Sequence, residues 1–137
     1  MQRRSRVREI VLQVLYQDDL NPDADATETE RFLRGRLKEE GPALEFAHSL
    51  ISGVRRNRSE LDAQLSAIAD NWSLARMAVT DRNILRMGAF EILYTDTPDR
   101  VAINEAVELA KRYGARQSPQ FVNGLLDRFL RESRSDT

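Results

Sequence analysis

The chain has 137 residues, the length of one ordinary domain, and can bury a core without covalent staples. It contains no cysteine, which excludes disulfides and thiolate metal sites and suits a cytosolic protein. The formal net charge is −1, so any affinity for nucleic acid has to come from the distribution of charge rather than its sum. No apolar run approaches the roughly 20 residues that span a bilayer. The opening MQRRSRVREI lacks the uninterrupted apolar stretch of a secretory signal, and a soluble, cytoplasmic protein is expected.

Strand signals are nearly absent, and helical spacing recurs along the whole sequence. Val7, Ile10, Val11, Val14 and Leu15 fall at i, i+3, i+4, i+7 and i+8, which predicts a helix over roughly 4–20, ended by Asn21-Pro22. Thr27 with Glu30 reads as a capping box opening a helix that carries Phe32, Leu33 and Leu37. Gly41-Pro42 stops it and starts a third, with Leu44, Ala47, His48, Ile51 and Val54. Ser59 with Asp62 reads as a further capping box, before Leu61, Leu65 and Ile68.

Trp72 to Ala78 reads as a short helix or turn. Thr80 then caps a helix bearing Ile84, Leu85, Gly88 and Ile92, which breaks at Thr97-Pro98. Ile103, Ala106, Val107 and Ala110 line the next, ended by Gly114. Ser118 as N-cap with Pro119 at the first helical position starts the last, striped by Val122, Leu125, Leu126 and Phe129. The polar tail from Ser133 is expected to fray. The expected fold is all-α: about seven helices in two small subdomains, roughly 1–70 and 71–137, sharing one interface. No fixed-period repeat and no Pro/Gly/Ser-rich linker separates them, so 1–137 reads as a single domain.

The chemistry of catalysis needs a constellation, and none is visible. The only histidine, His48, sits on the apolar side of its helix and reads as a core or edge residue. There is no Gly-rich phosphate loop, no GxSxG elbow and no His-x-x-x-His pair. The carboxylates lie opposite the apolar stripes, as on solvated helix faces. The expectation is therefore no enzyme, no cofactor and no metal.

What remains is recognition. Arg3, Arg4, Arg6 and Arg8 precede an acidic stretch holding Asp18, Asp19, Asp23, Asp25, Glu28 and Glu30, so the surface is polarised. Arg4 and Arg8 share a helix face that Leu12 and Tyr16 continue. Arginines could contact phosphate and base edges while the tyrosine ring stacks on an unpaired base. Equally, the arginines could only solubilise the terminus, with Tyr16 capping the core.

Several blocks, in order, resemble one family. RSRVREIVLQVLYQ at 4–17 is similar to the NusB family's opening, in which basic residues precede an A-R-E-x-A-x-Q-x-L-Y pattern. LISGV at 50–54 with Asn57, Trp72, DRNILR at 81–86 and Glu91 follow. The most specific blocks are VAINEAVELAKRYG at 101–114 and FVNG at 121–124. Departures are Val7 and Ile10, which make the opening helix more apolar than the family's alanine-containing pattern, Ser5 within the basic run, and the uncharged Gln117 where some relatives carry an acid.

The resemblance implies an all-helical fold of two three-helix-like bundles and a non-enzymatic adaptor in transcription antitermination. Such an adaptor binds the boxA element of ribosomal-operon leader RNA together with NusE, a small-subunit ribosomal protein. With other Nus factors the pair helps RNA polymerase resist termination, and some relatives form homodimers. Carried over by position, Arg3, Arg4, Arg6 and Arg8 match the basic arm and Tyr16 its tyrosine. Gln117 and Phe121 are further RNA-facing positions, and Lys111 and Arg112 secondary ones. Asp81 and Arg82 are the candidates for contact with the protein partner, although charged residues at a helix start could simply cap.

Phe121 lies one position off the inner stripe, and backbone N–H groups at the helix start suit phosphate. Lys111 and Arg112 could instead only offset the helix dipole. Asn104, Glu105 and Asn123 also match motif positions, where capping or inter-helix hydrogen bonds explain them equally well. Two rival classes stay open. NusB-like domains precede the catalytic part of certain ribosomal-RNA methyltransferases, but between Met1 and Thr137 there is no strand–glycine-loop–helix for a methyl donor, and the chain is expected to be complete. The other rival is a helical protein-interaction module without an RNA role.

Overall fold

A computed structural model describes residues 3–23, 25–38, 41–70 and 73–135. Among these are six α-helices: α1 (Arg3–Leu20), α2 (Ala26–Leu37), α3 (Gly41–Ile68), α4 (Val79–Tyr94), α5 (Asp99–Tyr113) and α6 (Ser118–Ser135). A 3-10 turn, Leu74–Arg76, precedes α4, and no strand occurs among the described residues. No helix of the described residues is long and apolar enough to cross a membrane. Trp72 lies outside the described residues.

The all-α expectation holds, with six helices rather than about seven. The missing boundary is the one expected at Ser59. α3 runs through it without a break, and Asp62 does not cap but pairs with Arg86 of α4. At the start of α2 the cap is Asp25, whose carboxylate accepts from the Thr27 N–H at 2.9 Å, so the Thr27–Glu30 box does not form. At the other end of the chain α6 continues through Ser133 to Ser135, held where Arg134 donates to Asp99 at 3.0 Å.

The chain divides into two compact units, Met1–Gly53 and Val54–Thr137, and the division falls inside α3. In the first unit every member of the expected α1 stripe is buried, but so are Arg8, Glu9 and Leu12. The middle of α1 is thus covered around its whole circumference. Gln13 of α1 accepts from Arg36 of α2 at 2.9 Å. Glu30 of α2 pairs with His48 of α3, and that hydrogen bond holds the Glu30 carboxyl below its ordinary value. Ile10, Leu33 and Leu50 are fully buried, each worth about 1.5–3 kcal/mol of apolar transfer.

In the second unit α4, α5 and α6 pack against one another. Ile84, Leu85, Ile103 and Leu126 are fully buried. A Cβ on Gly88 would lie 2.6 Å from Leu126 Cδ1 and 3.5 Å from Ala106 Cβ, so at this glycine α4 packs tightly against both α5 and α6. Gly88→Val is expected to destabilise the protein by about 2 kcal/mol through overpacking. Urea denaturation followed by helical circular dichroism measures it, and an unchanged midpoint would show that Leu126 can swing aside without cost.

Candidate nucleic-acid interface

In the first unit the residues of the basic arm sit on the opening turns of α1. Arg3, Arg4 and Arg6 are exposed, while Arg8 retains only 3% of its surface. Of the expected arm, then, three arginines face solvent and the fourth does not. α1 has no acidic residue in its first turn. The partial positive charge of a helix N-terminus favours acids there, so a run of arginines raises the local potential against the interest of helix stability. Arg4 and Arg8 both lie over the ring of Phe46 in α3, at 4.4 and 5.1 Å from its centroid. Tyr16 is 37% exposed, while Leu12 between it and Arg8 is buried.

In the second unit the turn from α5 into α6 is fastened by its own hydrogen bonds. Gly114 caps α5 through its N–H to Ala110 O at 2.9 Å. Its backbone is extended, φ −92° and ψ −174°, so left-handed freedom is not why glycine stands here. The reason is space: a Cβ would lie 2.6 Å from Ser118 Cβ and 2.8 Å from the Ala110 carbonyl oxygen. Ser118 is buried, and its hydroxyl accepts from the Ala115 N–H at 2.9 Å instead of capping the N–H groups ahead of it. The Phe121 N–H donates to Gln117 O at 3.1 Å.

This turn forms one wall of a cavity of about 510 Å³, lined among others by Gln117, Gln120 and Phe121 on one side and Arg76, Met77 and Asp81 on the other. Gln117 is exposed and Phe121 half-buried. Asp81 Oδ1 is buried and has no hydrogen-bond partner among the described residues. A buried acceptor in that state favours a ligand that donates. Arg82, its neighbour, points elsewhere: its guanidinium donates to the carbonyls of Leu74 and Ala75 at 3.3 and 3.4 Å and so holds the 3-10 turn. Lys111 and Arg112 are exposed in the last turn of α5, where Lys111 pairs with Glu108 at 3.2 Å.

The second unit therefore brings Gln117, Phe121 and Asp81 to one cavity, merging residues that sequence reasoning assigned to two different partners. Arg76, Met77 and Gln120 were missed, and nothing in their spacing marks them. Phe46 was also missed, although it is a half-buried aromatic one position off its helix's apolar stripe, the same signal that singled out Phe121.

A polarised all-helical protein, with a basic helix start and a half-open cavity walled by an aromatic residue, has the build of a recognition module. The chain belongs to the NusB family: the model described as "NusB family" matches residues 5–131. It is similar to the transcription antitermination protein NusB of Anaeromyxobacter dehalogenans strain 2CP-1, 44% identical over 126 residues, covering 92% of this chain and 89% of that one. Among solved structures it resembles T. maritima NusB with TM-score 0.84 and 39% identity, over 94% of this chain and 91% of that one. It also shares the fold of a chain from a crystal structure of antitermination factors NusB and NusE in complex with dsRNA, TM-score 0.86 at 24% identity, covering 96% and 98%.

Proposed function

We propose that this protein is an RNA-binding adaptor of transcription antitermination, which binds boxA leader RNA of ribosomal operons together with NusE. In that role it acts in the cytoplasm by assembly, helping RNA polymerase resist termination, and breaks no bond. The observation that carries the RNA part is the row of exposed arginines on the first turns of α1, placed where helix electrostatics alone would select acids. Family membership and the shared fold with a NusB–NusE–RNA complex support the same reading.

In this reading Arg3, Arg4 and Arg6 meet phosphates, with Lys111 and Arg112 as secondary cations. Arg8 supports them from beneath. An unpaired base stacks on Phe121 beside Gln117, with its donor edge toward Asp81, and Tyr16 offers a second stacking ring. Asp81 then serves the RNA rather than, or as well as, the protein partner, and Arg82 contributes by holding the turn in place.

The deciding experiment is a titration of labelled boxA-type single strand, scrambled strand and duplex RNA, with and without the organism's NusE, at fixed salt. Preference for the boxA strand, sharpened by NusE, is the expected result. Equal weak binding of every RNA in both conditions would leave a helical interaction module. Within that assay Phe121→Ala is expected to cost about 1–3 kcal/mol of affinity, the loss of one stacked base. An unchanged affinity in a folded Phe121→Ala protein would remove this residue from the site.

A further inference from the structure

We propose that Phe46 is a positioning residue for RNA binding: its ring seats the guanidinium of Arg4 at the head of α1, with the buried Arg8 held on the same ring. The inference rests on the RNA reading above and adds to it a residue outside the basic arm. Its ground is geometric. Two arginines one helical turn apart on α1 converge on one half-buried aromatic of α3, at 4.4 and 5.1 Å from the ring centroid.

Stacking suits arginine for a particular reason. The attraction to the ring uses the face of the guanidinium, which leaves the N–H groups on its edge to make planar, bidentate hydrogen bonds. An exposed arginine without such a seat samples many rotamers, and a seated one holds its donors in one plane. Arg8 adds a second effect. At 3% exposure it cannot offer its own edge to a ligand in solution, yet its charge is taken out of water beside Arg4. Packed on the same ring, Arg8 helps to fix the aromatic that seats Arg4. Arg4, in the first turn of α1, also stands at the positive end of the helix dipole, which favours phosphate in the same sense.

The test compares Phe46→Leu and Phe46→Met, which keep apolar volume and remove the ring, with Phe46→Tyr, which keeps it. Each full-length variant is titrated with a fluorescein-labelled boxA-type single-stranded RNA, after circular dichroism has verified the fold. The second, aliphatic variant covers the case in which Phe46→Leu fails to fold. Loss of the ring is expected to weaken binding about 5-fold, with Phe46→Tyr within 2-fold of wild type. Combined with Arg4→Ala, the loss is expected to be smaller than the product of the two single losses, because both remove one contact. In the free protein, NMR signals of the Arg4 side chain shifted by the ring current are expected to return to ordinary positions in Phe46→Leu.

Independent, multiplying losses, or a folded aliphatic variant with wild-type affinity, would overturn the proposal while leaving RNA binding intact. Failure of the wild-type chain to bind any RNA would overturn the RNA reading itself, and the role of Phe46 with it.

Discussion

Replacing Arg3, Arg4 and Arg6 together by alanine is expected to weaken binding of single-stranded RNA on the order of 100-fold at 0.1 M salt. Each phosphate neutralised on a single strand releases about 0.7 of a counterion, so three contacts contribute roughly two decades at that ionic strength. The same arithmetic makes a sharper claim about slope. A plot of log affinity against log salt is expected to flatten by about 2 in the triple variant, whereas Phe121→Ala lowers affinity with the slope unchanged. Stability should change little, because relieving three cations at the positive end of a helix dipole offsets the lost contact of Arg4 with the Phe46 ring. A slope unaltered by the triple substitution would place the phosphate contacts elsewhere, with Lys111 and Arg112 next in line.

The largest effect on folding is expected at Asp62. Its carboxylate accepts from Arg86 Nε at 2.7 Å and from a second guanidinium nitrogen at 2.9 Å, a bidentate pair that ties α3 to α4. The Arg86 side chain is only 5% exposed and that of Asp62 29%, so the cation is the buried member. The third side of the guanidinium donates to Asn83 Oδ1 at 3.0 Å, and the Asn83 amide in turn donates to Val79 O at 2.9 Å. Asp62→Ala leaves that guanidinium desolvated without its counter-charge and is expected to cost about 3 kcal/mol. The Tm should fall by roughly 10 °C. Replacing both partners, as Asp62→Leu with Arg86→Met, is expected to cost much less, since the penalty comes from the orphaned charge rather than from the missing pair. Equal losses in the single and double variants would show that the helix contact, not the ion pair, carries the stability.

Asp62 also shows where local sequence signals stop being sufficient. A serine followed three residues later by an acid is what a helix start looks like, and at 59–62 it predicted one. The acid is instead recruited by Arg86, 24 residues further on, and the exposed Ser59 rides inside an unbroken helix. A tertiary partner of that kind leaves no local trace. The apolar stripes were legible because burial repeats at the helical period: all five residues read on α1 and all four on α6 are buried. Stripes mark the inner face only, and so they did not reveal that Arg8 and Glu9 are buried too.

At the candidate site, the chain ends were readable and the walls were not. Arg3, Arg4 and Arg6 announce themselves by clustering, and Phe121 by standing off its stripe. Asp81 could be read only as a charge at a helix start. Its unpaired buried oxygen, and the cavity it shares with Gln117, Gln120 and Phe121 from the start of α6, emerge only in the folded unit. Applied to α3, the off-stripe criterion would have found Phe46.

The passage from Gly114 to Ser118 has one further consequence. Ser118 receives the Ala115 N–H on its hydroxyl and donates its own N–H back to the Ala115 carbonyl at 3.0 Å, so the bend is locked at both ends within itself. Ordering a loose backbone costs about 1–2 kcal/mol per residue at the moment of binding. A bend already fixed does not levy that charge, and whatever enters beside Phe121 meets a finished wall. On the proposed reading the rate of RNA capture is then governed by encounter rather than by loop closure, and selectivity by which shapes fit without rearrangement. The same rigidity makes the bend intolerant of growth: one inserted residue, harmless in most surface loops, would unseat both hydrogen bonds and turn the first helical turn of α6 away from the cavity.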